Sequence, residues 1–580
     1  MFDLKYPDIL KLNSRLLEDL ESVEDYKIKL LSNVTVNQVK ELIEFNLRKE
    51  GIKAILDFGD YDNIIQDSQN ITSDESVLIF WELLNLLENF DSKLALMSDN
   101  DLEELLEKIK SEIDLLINNL QNSPLVIINR FSYSMFTGSS LREAEIYKFC
   151  EELNRYLYSK APVHWKIFNY DLIFTELGLI NCFDKRYFYL SKAPFKIEFL
   201  KEYSARIGHI FLAANGKAKK ALIFDCDNTL WGGVLGEDGF NGINMSETDR
   251  TGSIFHQVQL IAKKLNEEGV LIGLCTKNNP NDIDEVVRNH PDMILKNENL
   301  TIIKSNWNNK AENLIEISKN LNIGLDSIVF VDDSDFEVNL IKERLPNVHV
   351  IQVPKKIYDY PDVLLKSRDL FYNLSATDED LRKAEMYANQ LEREESKTEF
   401  SSIEDYISSL GIKLDFFIDD IDSVARLSQM TQKTNQFNLT TKRYTESEIS
   451  NFINSESSIV YSISVSDKYG DSGITGLSIL TLDRDNSSAH IDSLLMSCRI
   501  IGRNIEFIFF ETILEDIKRM NISSVYGTYK KTNKNEQVSN LYDSFGCIVD
   551  DSGKDFKHYK LSLKEYSKSN IDYIEVNHVN

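Results

Sequence analysis

Residues 219–354 alternate between short apolar runs and amphipathic segments. The runs are ALIFD, VLIGLCT, SIVFVDD and VHVIQV, and segments such as FHQVQLIAKKLNEEG and AENLIEISKNLNIG carry apolar residues at helical spacing. Strands that are apolar along their whole length, with helices between them, are typical of a parallel sheet buried on both faces. This part of the chain is therefore predicted to be an α/β domain.

The first 200 residues show a second α/β pattern. The stretches KIKLLSNVTV, KAILDFGDY and SPLVIINRF predict strands, and NQVKELIEFNLRKEG predicts a helix that stops at Gly51. No glycine-rich phosphate loop is present, and Ser32 lies in LLSN rather than in a GDS-like nucleophile block. The sequence leaves the role of this region open.

The last part of the chain combines helices with further strands. Residues 361–410 are charged and helical in character (DEDLRKAEMYANQLEREE), which predicts a connector. From 411 to 566 helices come first, followed by the strands YSISVSD, GITGLSILTL and SAHIDSLLMS, the helix IEFIFFETILEDIKRM, the strand SSVYGTY and the helix NEQVSNLYDSFG. The predicted parts are therefore 1–200, 218–360, 361–410 and 411–566.

Length, net charge and cysteine content exclude several classes of protein. A length of 580 residues suggests three or four domains, at roughly 100–200 residues each. The net charge of −28 argues against a nucleic-acid binder, which would carry clustered Lys and Arg. The six cysteines are scattered without a CxxC pair, and no apolar run is long enough to span a membrane. A reduced, cytoplasmic protein without a membrane span is expected.

Polar side chains stand where the predicted central strands end. Because the carboxyl ends of parallel strands meet at one edge of a sheet, these side chains are expected to converge there. They are Asp225 and Asp227 after ALIF, Thr276 at the end of VLIGLCT, Lys310 at the start of a helix, and Asp332 and Asp333 at the end of SIVFVDD.

The charges of this set suggest its chemistry. Clustered carboxylates need a cation among them, and a site built of oxygen ligands favours Mg²⁺ together with a substrate phosphate. One carboxylate can attack phosphorus, and a second, two residues further on, can protonate the leaving oxygen and then activate water. The lysine and the hydroxyl can hold the phosphoryl oxygens. The alternative for the DxDxT pattern alone is a chance acidic turn.

The four motifs DCDNT, Thr276, Lys310 and VDDSDFE, in this order, resemble those of the haloacid dehalogenase superfamily of phosphotransferases. The resemblance implies that Asp225 is the nucleophile and Asp227 the general acid/base. It also implies a Mg²⁺ site formed by the aspartates at 225, 227, 332 and 333, with Glu337 as a further candidate. The gap of 51 positions between Asp225 and Thr276 is used mostly by one turn and one helix, and the gap of 34 positions between Thr276 and Lys310 by one helix and a strand. Neither gap leaves room for a separate cap domain.

The run WGGVLGEDG after the two aspartates resembles the FkbH-like branch, subfamily IIIC, of that superfamily. Further agreements are CTKNNP, SNWNNKAENL, TQKTNQFNLTTKRYTESE, DKYGDSG and IDSLLMSCRIIGR. The resemblance runs across most of the chain and is weakest before about residue 160. In that branch the N-terminal part resembles a degenerate hydrolase-like α/β domain. Trp231 could equally serve only to pack the turn.

The stretch SCRIIGRN lies between a predicted strand and a long helix. It resembles the pyrophosphate loop of the N-acetyltransferase fold, in which Arg499, Gly502 and Arg503 would contact a phosphate or a pantetheine arm. Cys498 precedes a helix N-terminus beside two arginines, and both features would lower its pKa. The alternative is a small buried apolar residue, but in the FkbH-like branch this position carries the acyl group.

No base for Cys498 is evident in the sequence. His490 stands eight residues earlier on the same predicted strand, which places it roughly 26 Å away. His256, or no base at all, remains as an option. Cys226 and Cys275 lie in predicted strands and are expected in the core, and the polar loop from Lys277 to Asn279 could contact a phosphate.

Together these features predict an α/β fold class. It would comprise an N-terminal α/β domain, a central haloacid-dehalogenase-type Rossmannoid parallel sheet without a large cap, and a C-terminal N-acetyltransferase-like α/β domain. The resemblance implies a Mg²⁺-dependent glyceryl transferase/phosphatase that loads a glyceryl group from a 1,3-bisphosphoglycerate-like acyl phosphate onto the phosphopantetheine arm of an acyl carrier protein.

Two alternatives stay open at this point. One is a Mg²⁺-dependent phosphatase fused to an acyltransferase that acts on another acyl or sugar substrate in polyketide, lipid or glycan modification. The other is a non-catalytic module that only binds a carrier protein, against which the intact carboxylates of DCDNT and VDDSD argue.

Overall fold

The structure is a computed structural model that describes residues 4–86, 93–94, 96–136, 143–373, 403–497, 500–532, 534–564, 566, 568 and 571–579. The chain divides into two compact units, Met1–Asn215 and Gly216–Asn580. No helix in the described part of the chain is long and apolar enough to cross a membrane.

The first unit is built on a parallel five-stranded sheet with the strand order β2-β1-β3-β4-β5. Its strands are β1 (Asp25–Ser32), β2 (Lys53–Phe58), β3 (Ser76–Phe80), β4 (Val126–Asn129) and β5 (Trp165–Phe168). Its described helices are α1 (Tyr6–Asp19), α2 (Val39–Arg48), α3 (Ile64–Ser68), α4 (Asp99–Asn119), α5 (Glu143–Lys160), α6 (Asp171–Leu177), α7 (Leu179–Cys182), α8 (Lys185–Ser191) and α9 (Ile197–Ala214).

The three strands predicted for this unit are present, and two more were not predicted. β3 and β5 are runs of only five and four residues, too short for periodicity to separate a strand from a helix. The strand order reverses direction between β1 and β3, so the segments that follow these two strands face each other at the carboxyl edge of the sheet.

A buried acid lies in the segment that follows β3. Glu82 is almost fully buried, accepts a hydrogen bond of 2.5 Å from the Tyr170 hydroxyl and one of 3.3 Å from Asn129 Nδ2. The side chain of Asn33, which follows β1, bonds the backbone N–H and C=O of Glu82. Burial raises the pKa of Glu82 from 4.5 to about 7, although its two side-chain hydrogen bonds oppose the shift.

The raised pKa of Glu82 predicts a pH-dependent stability. The native state binds this proton more tightly, so the contribution is complete below pH 4.5 and is lost as the pH rises towards 7. A shift of this size corresponds to about 3 kcal/mol. We expect Glu82→Gln to stabilise the protein relative to wild type at pH 8 by more than at pH 5, as measured by thermal unfolding at both pH values. The exposed Glu103→Gln should show no such difference, and equal effects of Glu82→Gln at both pH values would contradict the prediction.

The second unit begins with another parallel sheet, with the strand order β10-β9-β6-β7-β8. Its strands are β6 (Ala221–Phe224), β7 (Leu271–Thr276), β8 (Ile302–Ser305), β9 (Ile328–Asp332) and β10 (His349–Gln352). Its helices are α10 (Leu235–Asp238), α11 (Gly252–Glu267), α12 (Pro280–Asn289), α13 (Lys310–Asn320), α14 (Asp335–Arg344) and α15 (Tyr360–Lys366). The four predicted strands are confirmed as β6, β7, β9 and β10, and β8 is the strand expected in the gap between Thr276 and Lys310.

The segments between the strands of this sheet are short. The one-turn helix α10 and α11 connect β6 to β7, and α12 connects β7 to β8. Every residue from 216 to 373 is described, and within that range no domain is inserted between the strands. The sequence-based expectation of a site without a cap in this stretch therefore agrees with the structure.

An eight-stranded mixed sheet completes the second unit, with the order β16-β17-β15-β14-β13-β12-β11-β18. Its strands are β11 (Lys413–Ile418), β12 (Ser458–Asp467), β13 (Gly470–Asp483), β14 (Ser488–Met496), β15 (Ser524–Lys530), β16 (Ile548–Ser552), β17 (Phe556–Ser562) and β18 (Glu575–Val579). Its described helices are α16 (Ile403–Ser409), α17 (Val424–Lys433), α18 (Glu446–Ile453), α19 (Ile505–Arg519) and α20 (Leu541–Ser544). The predicted α/β fold class is confirmed.

Two predictions for this part have other outcomes. The connector helix predicted for DEDLRKAEMYANQLEREE lies outside the described residues. The single helix predicted for NEQVSNLYDSFG is wrong, because the structure has a 3-10 turn at Glu536–Val538 and the one-turn α20. Asn535 holds the start of this segment, since its side chain bonds the backbone of Thr532, Lys530 and Asn438.

Candidate active site

Asp225 stands at the centre of the site because β6 is the central strand of its sheet. The strand is buried along its length, and Asp225 follows it directly with only 6% of its surface exposed. Its backbone N–H bonds Val331 O at 2.9 Å, so it leaves the sheet between β9 and β7. The same edge receives Asp332 from β9 and Thr276 from β7.

Lys310 brings a cation between two of these carboxylates. It is the first residue of α13, and its Nζ lies 2.8 Å from Asp225 Oδ1 and 2.7 Å from Asp332 Oδ2. All three side chains are buried. Burial alone would lower the pKa of Lys310, but the charges of Asp225 and Asp332 outweigh it and raise that pKa. The ammonium group is therefore fixed in its charged form.

The negative charge at this edge exceeds what Lys310 supplies. Asp225, Asp332 and Asp333 each offer an oxygen, and these oxygens lie within 4.8 Å of one another. Burial raises the pKa of all three carboxyls, and for each of them the charge of a neighbouring aspartate adds to the effect. Such a set fits a hard divalent cation that prefers oxygen ligands, such as Mg²⁺.

Glu337 lies four residues after Asp333, in the first turn of α14, and its carboxylate also fits the predicted Mg²⁺ site. Its Oε1 pairs with Lys277 Nζ at 2.6 Å, an ion pair that links the loop after β7 to the start of α14. Its Oε2 is buried and has no hydrogen-bond partner among the described residues. An unsatisfied buried carboxylate oxygen is costly unless a ligand or a water bound to a cation meets it.

Asp227 has surroundings unlike those of Asp225, although the two are only two residues apart. Its Oδ1 accepts hydrogen bonds from Trp231 Nε1 at 3.0 Å and from the Leu235 N–H at 2.9 Å. Its Oδ2 accepts one from Asn278 Nδ2 at 2.9 Å. The carboxylate is not a member of the three-aspartate group within 4.8 Å, so a metal contact through its side chain stays a prediction.

The tryptophan–glycine turn explains how Asp227 is held. Trp231 is fully buried, and its indole N–H reaches back to Asp227. Gly233 has φ +99°, and a Cβ there would lie 2.8 Å from Asp238 Oδ2, which itself accepts the Val234 N–H. The turn therefore does more than pack, and the sequence pattern WGG marked it without revealing that its target is Asp227.

Thr276 and Asn278 complete the edge on the β7 side. Thr276 is buried, and its Oγ1 accepts a hydrogen bond from Asn278 Nδ2 at 3.1 Å. Asn278 thereby bridges Thr276 and Asp227, a link that the loop motif CTKNNP could not disclose. Cys226 and Cys275 are both fully buried, in agreement with their expected place in the core.

The structure brings together six of the predicted site residues at one sheet edge. These are Asp225, Asp227, Thr276, Lys310, Asp332 and Asp333. Cys498 and Arg499 lie outside the described residues. Their roles, like those of the other site residues, stay predictions.

Residues 500–504, in the described part of the loop SCRIIGRN, turn sharply because two of them have positive φ angles. Gly502 has φ +82° and Asn504 φ +62°, so the chain turns sharply into α19. Arg503 is buried, with its Nη1 3.1 Å from Asp467 Oδ2, and both side chains face the interior. A direct ligand contact through the Arg503 side chain, as the sequence suggested, would compete with this internal ion pair.

The segment from Phe437 to Leu439 fills a gap in the mixed sheet. The parallel strands β14 and β15 pair only over Ser488–His490 and Ser524–Tyr526. Beyond that point, Leu439 N–H bonds Leu494 O, Met496 N–H bonds Phe437 O and Lys530 N–H bonds Leu439 O. The motif TQKTNQFNLTTKRYTESE therefore includes a short segment that lies between β14 and β15 where the two strands separate. This segment forms hydrogen bonds with backbone groups that the strands would otherwise leave without partners.

The two candidate histidines have ordinary surroundings. His490 stacks on Tyr526 with ring centroids 4.8 Å apart, near the beginning of β14. His256 lies on α11 with its Nε2 3.6 Å from Glu247 Oε2. Because Cys498 lies outside the described residues, its base stays a prediction.

Comparison with solved structures shows a likeness to a phosphatase-containing protein. The N-terminal part of the protein BF1531 from Bacteroides fragilis, which contains a phosphatase domain and was crystallised with Mg, aligns with a TM-score of 0.56 at 28% identity over 63% of this chain and 99% of that one. No family model and no curated protein matches this sequence.

Smaller overlaps involve acetyltransferases. The ribosomal-protein-S18-alanine N-acetyltransferase from Escherichia coli aligns with 27% of this chain and 99% of its own, at 10% identity and a TM-score of 0.20. The putative acetyltransferase yncA from Salmonella typhimurium, solved with acetyl-CoA, gives the same coverages and identity and a TM-score of 0.21. Similarities of this size transfer no function.

The excess of carboxylates predicts that the protein binds Mg²⁺. We expect Mg²⁺ to raise the melting temperature, and Asp333→Asn to weaken binding at least about tenfold in calorimetric titration. Asp333 is partly exposed, so the substitution should leave the fold intact without Mg²⁺. The exposed Asp362→Asn on α15 serves as the control, and equal affinities in the two variants would contradict the assignment.

The contact between Trp231 and Asp227 predicts a cost for losing the indole. Trp231→Phe removes one hydrogen bond and buried volume, so we expect the free energy of unfolding of the second unit to fall by about 1–3 kcal/mol. Chemical denaturation would measure it. Trp307→Phe is the matched control, because Trp307 is 70% exposed and should change stability little. A similar loss in both variants would show that the indole contact is not special.

Proposed function

We propose that the central domain is a Mg²⁺-dependent phosphatase that works through an aspartyl-phosphate on Asp225. The observation that carries the proposal is the position of Lys310, which bridges Asp225 and Asp332 at the carboxyl edge where Thr276 also ends its strand. The likeness to a Bacteroides fragilis protein whose phosphatase domain was crystallised with Mg supports the same reading.

In the first step, a carboxylate oxygen of Asp225 bonds to phosphorus and the ester P–O bond breaks. The leaving alkoxide takes a proton from Asp227. Two donors, Trp231 and the Leu235 N–H, hold Oδ1 of Asp227, so the proton is carried on Oδ2. In the second step, Asp227 removes a proton from water, which attacks the phosphorus and frees Asp225 together with inorganic phosphate.

The remaining groups hold the phosphoryl oxygens while charge develops on them. Lys310 supplies a fixed ammonium, and Thr276 supplies a hydroxyl at the same edge. Bound Mg²⁺ would add positive charge that offsets the charge of the phosphoryl group. Asp225, Asp332 and Asp333 would hold it, and Glu337 lies close enough along the chain to contribute.

We further propose that this chemistry serves acyl transfer, as the FkbH-like resemblance implies. The thiolate of Cys498 would attack the acyl carbon of a 1,3-bisphosphoglycerate-like acyl phosphate, forming a thioester as the acyl C–O bond breaks and phosphate leaves. The Asp225 site would remove the second phosphate as an ester. The thiol of a pantetheine arm on an acyl carrier protein would then attack the thioester, take the glyceryl group and return the Cys498 thiol.

The test is the intact mass of protein and carrier after incubation with Mg²⁺, the bisphosphorylated glycerate and a pantetheinylated carrier protein. Wild type should yield a glyceryl thioester on the carrier. Asp225→Asn should leave an acyl group that still bears its phosphate, and Cys498→Ala should leave the carrier unmodified. Asp227→Asn should lower kcat for phosphate release by about 10²–10⁴-fold.

Two outcomes would revise the proposal in different ways. Phosphate release that depends on Asp225 but leaves the carrier unmodified would keep the phosphatase and point to another acyl or sugar substrate. Phosphate release that survives Asp225→Asn would reject the aspartyl-phosphate mechanism itself.

A further inference from the structure

Residues 179–196 form a surface whose charge differs from that of the rest of the chain. This stretch, called here the basic–aromatic surface, spans α7 and α8 and ends at the start of α9. It carries four cations and one carboxylate, whereas the whole chain has 93 acidic and 65 basic residues. The cations are Lys185, Arg186, Lys192 and Lys196, and the carboxylate is Asp184.

Large apolar side chains project from the same surface. Ile180 is 80% exposed, Tyr187 51%, Tyr189 73% and Leu190 76%. The Arg186 guanidinium lies over the Tyr187 ring at 4.7 Å, and most of the arginine side chain faces solvent. Four large apolar side chains are exposed within eleven residues, a local density that is typical of an interaction site and differs from apolar residues scattered singly over a surface.

The surface is displayed on a firmly packed base. Phe195 stacks on Phe199 with ring centroids 4.3 Å apart, and Phe188 is buried beneath α8. Asp184 caps α8 by accepting the N–H groups of Arg186 and Tyr187. The Thr35 N–H bonds Lys192 O at 2.8 Å, which ties the surface to the end of β1. A preorganised patch loses little conformational entropy when a partner binds.

We propose that the basic–aromatic surface docks an acidic protein partner, namely the carrier protein that receives the acyl group; this rests on the proposed function. With a net charge of −28, the chain repels an acidic protein at long range, so such a partner can approach only where cations are concentrated. Arginine and tyrosine are also the side chains that most often dominate binding energy once they are buried in an interface.

The basic–aromatic surface would give the first unit a docking function, whereas the carboxyl edge of its own sheet is closed by buried side chains. Glu82, Asn33 and Tyr170 at that edge bond one another and are buried. Catalysis and docking would then reside on different parts of the chain, and substitutions on the docking surface should leave the chemistry of small substrates unchanged.

The test measures binding of a fluorescently labelled, pantetheinylated acyl carrier protein of net negative charge to the full chain by anisotropy. The double variant Arg186→Glu/Leu190→Ser should weaken binding at least about tenfold, and wild-type binding should weaken steeply as salt rises above about 0.15 M. The single variant Tyr189→Ser, which changes no charge, should also weaken it. The matched control on α5, Lys148→Glu/Tyr158→Ser, should bind like wild type.

Several outcomes would overturn the docking surface. These are unchanged carrier binding in the variants, salt-dependent binding of the surface to phosphatidylserine vesicles instead of the carrier, or a change in the mass of the chain's own oligomer in light scattering. A thermal unfolding curve like that of wild type shows that each variant is folded, and unchanged phosphate release from a small phosphorylated substrate shows that its phosphatase site is intact. A carrier that docks but is never loaded would reject the proposed acyl transfer and keep the docking surface.

Discussion

The ammonium group of Lys310, held between Asp225 and Asp332, is the interaction on which the candidate site depends. Three buried charges at the end of a parallel sheet are costly unless they neutralise one another, and one cation leaves two aspartates only partly compensated. The third carboxylate, Asp333, makes the deficit larger. A divalent cation is the partner that this imbalance fits.

The same sheet edge sorts two neighbouring carboxylates into different environments. Asp225 meets the charge of Lys310, whereas Asp227 meets three neutral donors that arrive from the glycine turn and from the loop after β7. In the proposed mechanism one carboxylate forms and breaks a covalent bond and the other carries a proton, two tasks that need different surroundings. The two carboxylates part because β6 ends at Phe224, directly before Asp225, and the chain turns just after Asp227, where Asn228 has φ +51°.

Elsewhere, side chains and a short segment form hydrogen bonds with backbone groups that neighbouring parallel strands leave without partners. In the first unit, Asn33 and Tyr170 both form hydrogen bonds with Glu82 at the point between β1 and β3 where the strand order reverses. In the mixed sheet, the segment from Phe437 to Leu439 occupies the gap between β14 and β15. In both places buried backbone groups find partners from distant parts of the chain. The basic–aromatic surface stays exposed, which sets it apart from these closed edges.

Apolar periodicity predicted the strands of the parallel central sheet, and the topology of such a sheet predicted that Asp225, Thr276, Lys310 and Asp332 converge where the strands end. The run WGGVLGEDG was also marked as unusual. The folded structure added that Trp231 and Asn278 hold Asp227 and that Arg503 faces an internal aspartate. The short strands β3 and β5 and the two separate helical turns after Asn535 were not predicted either. Contacts between residues far apart in the chain, and runs too short to show a period, leave no local signal to read.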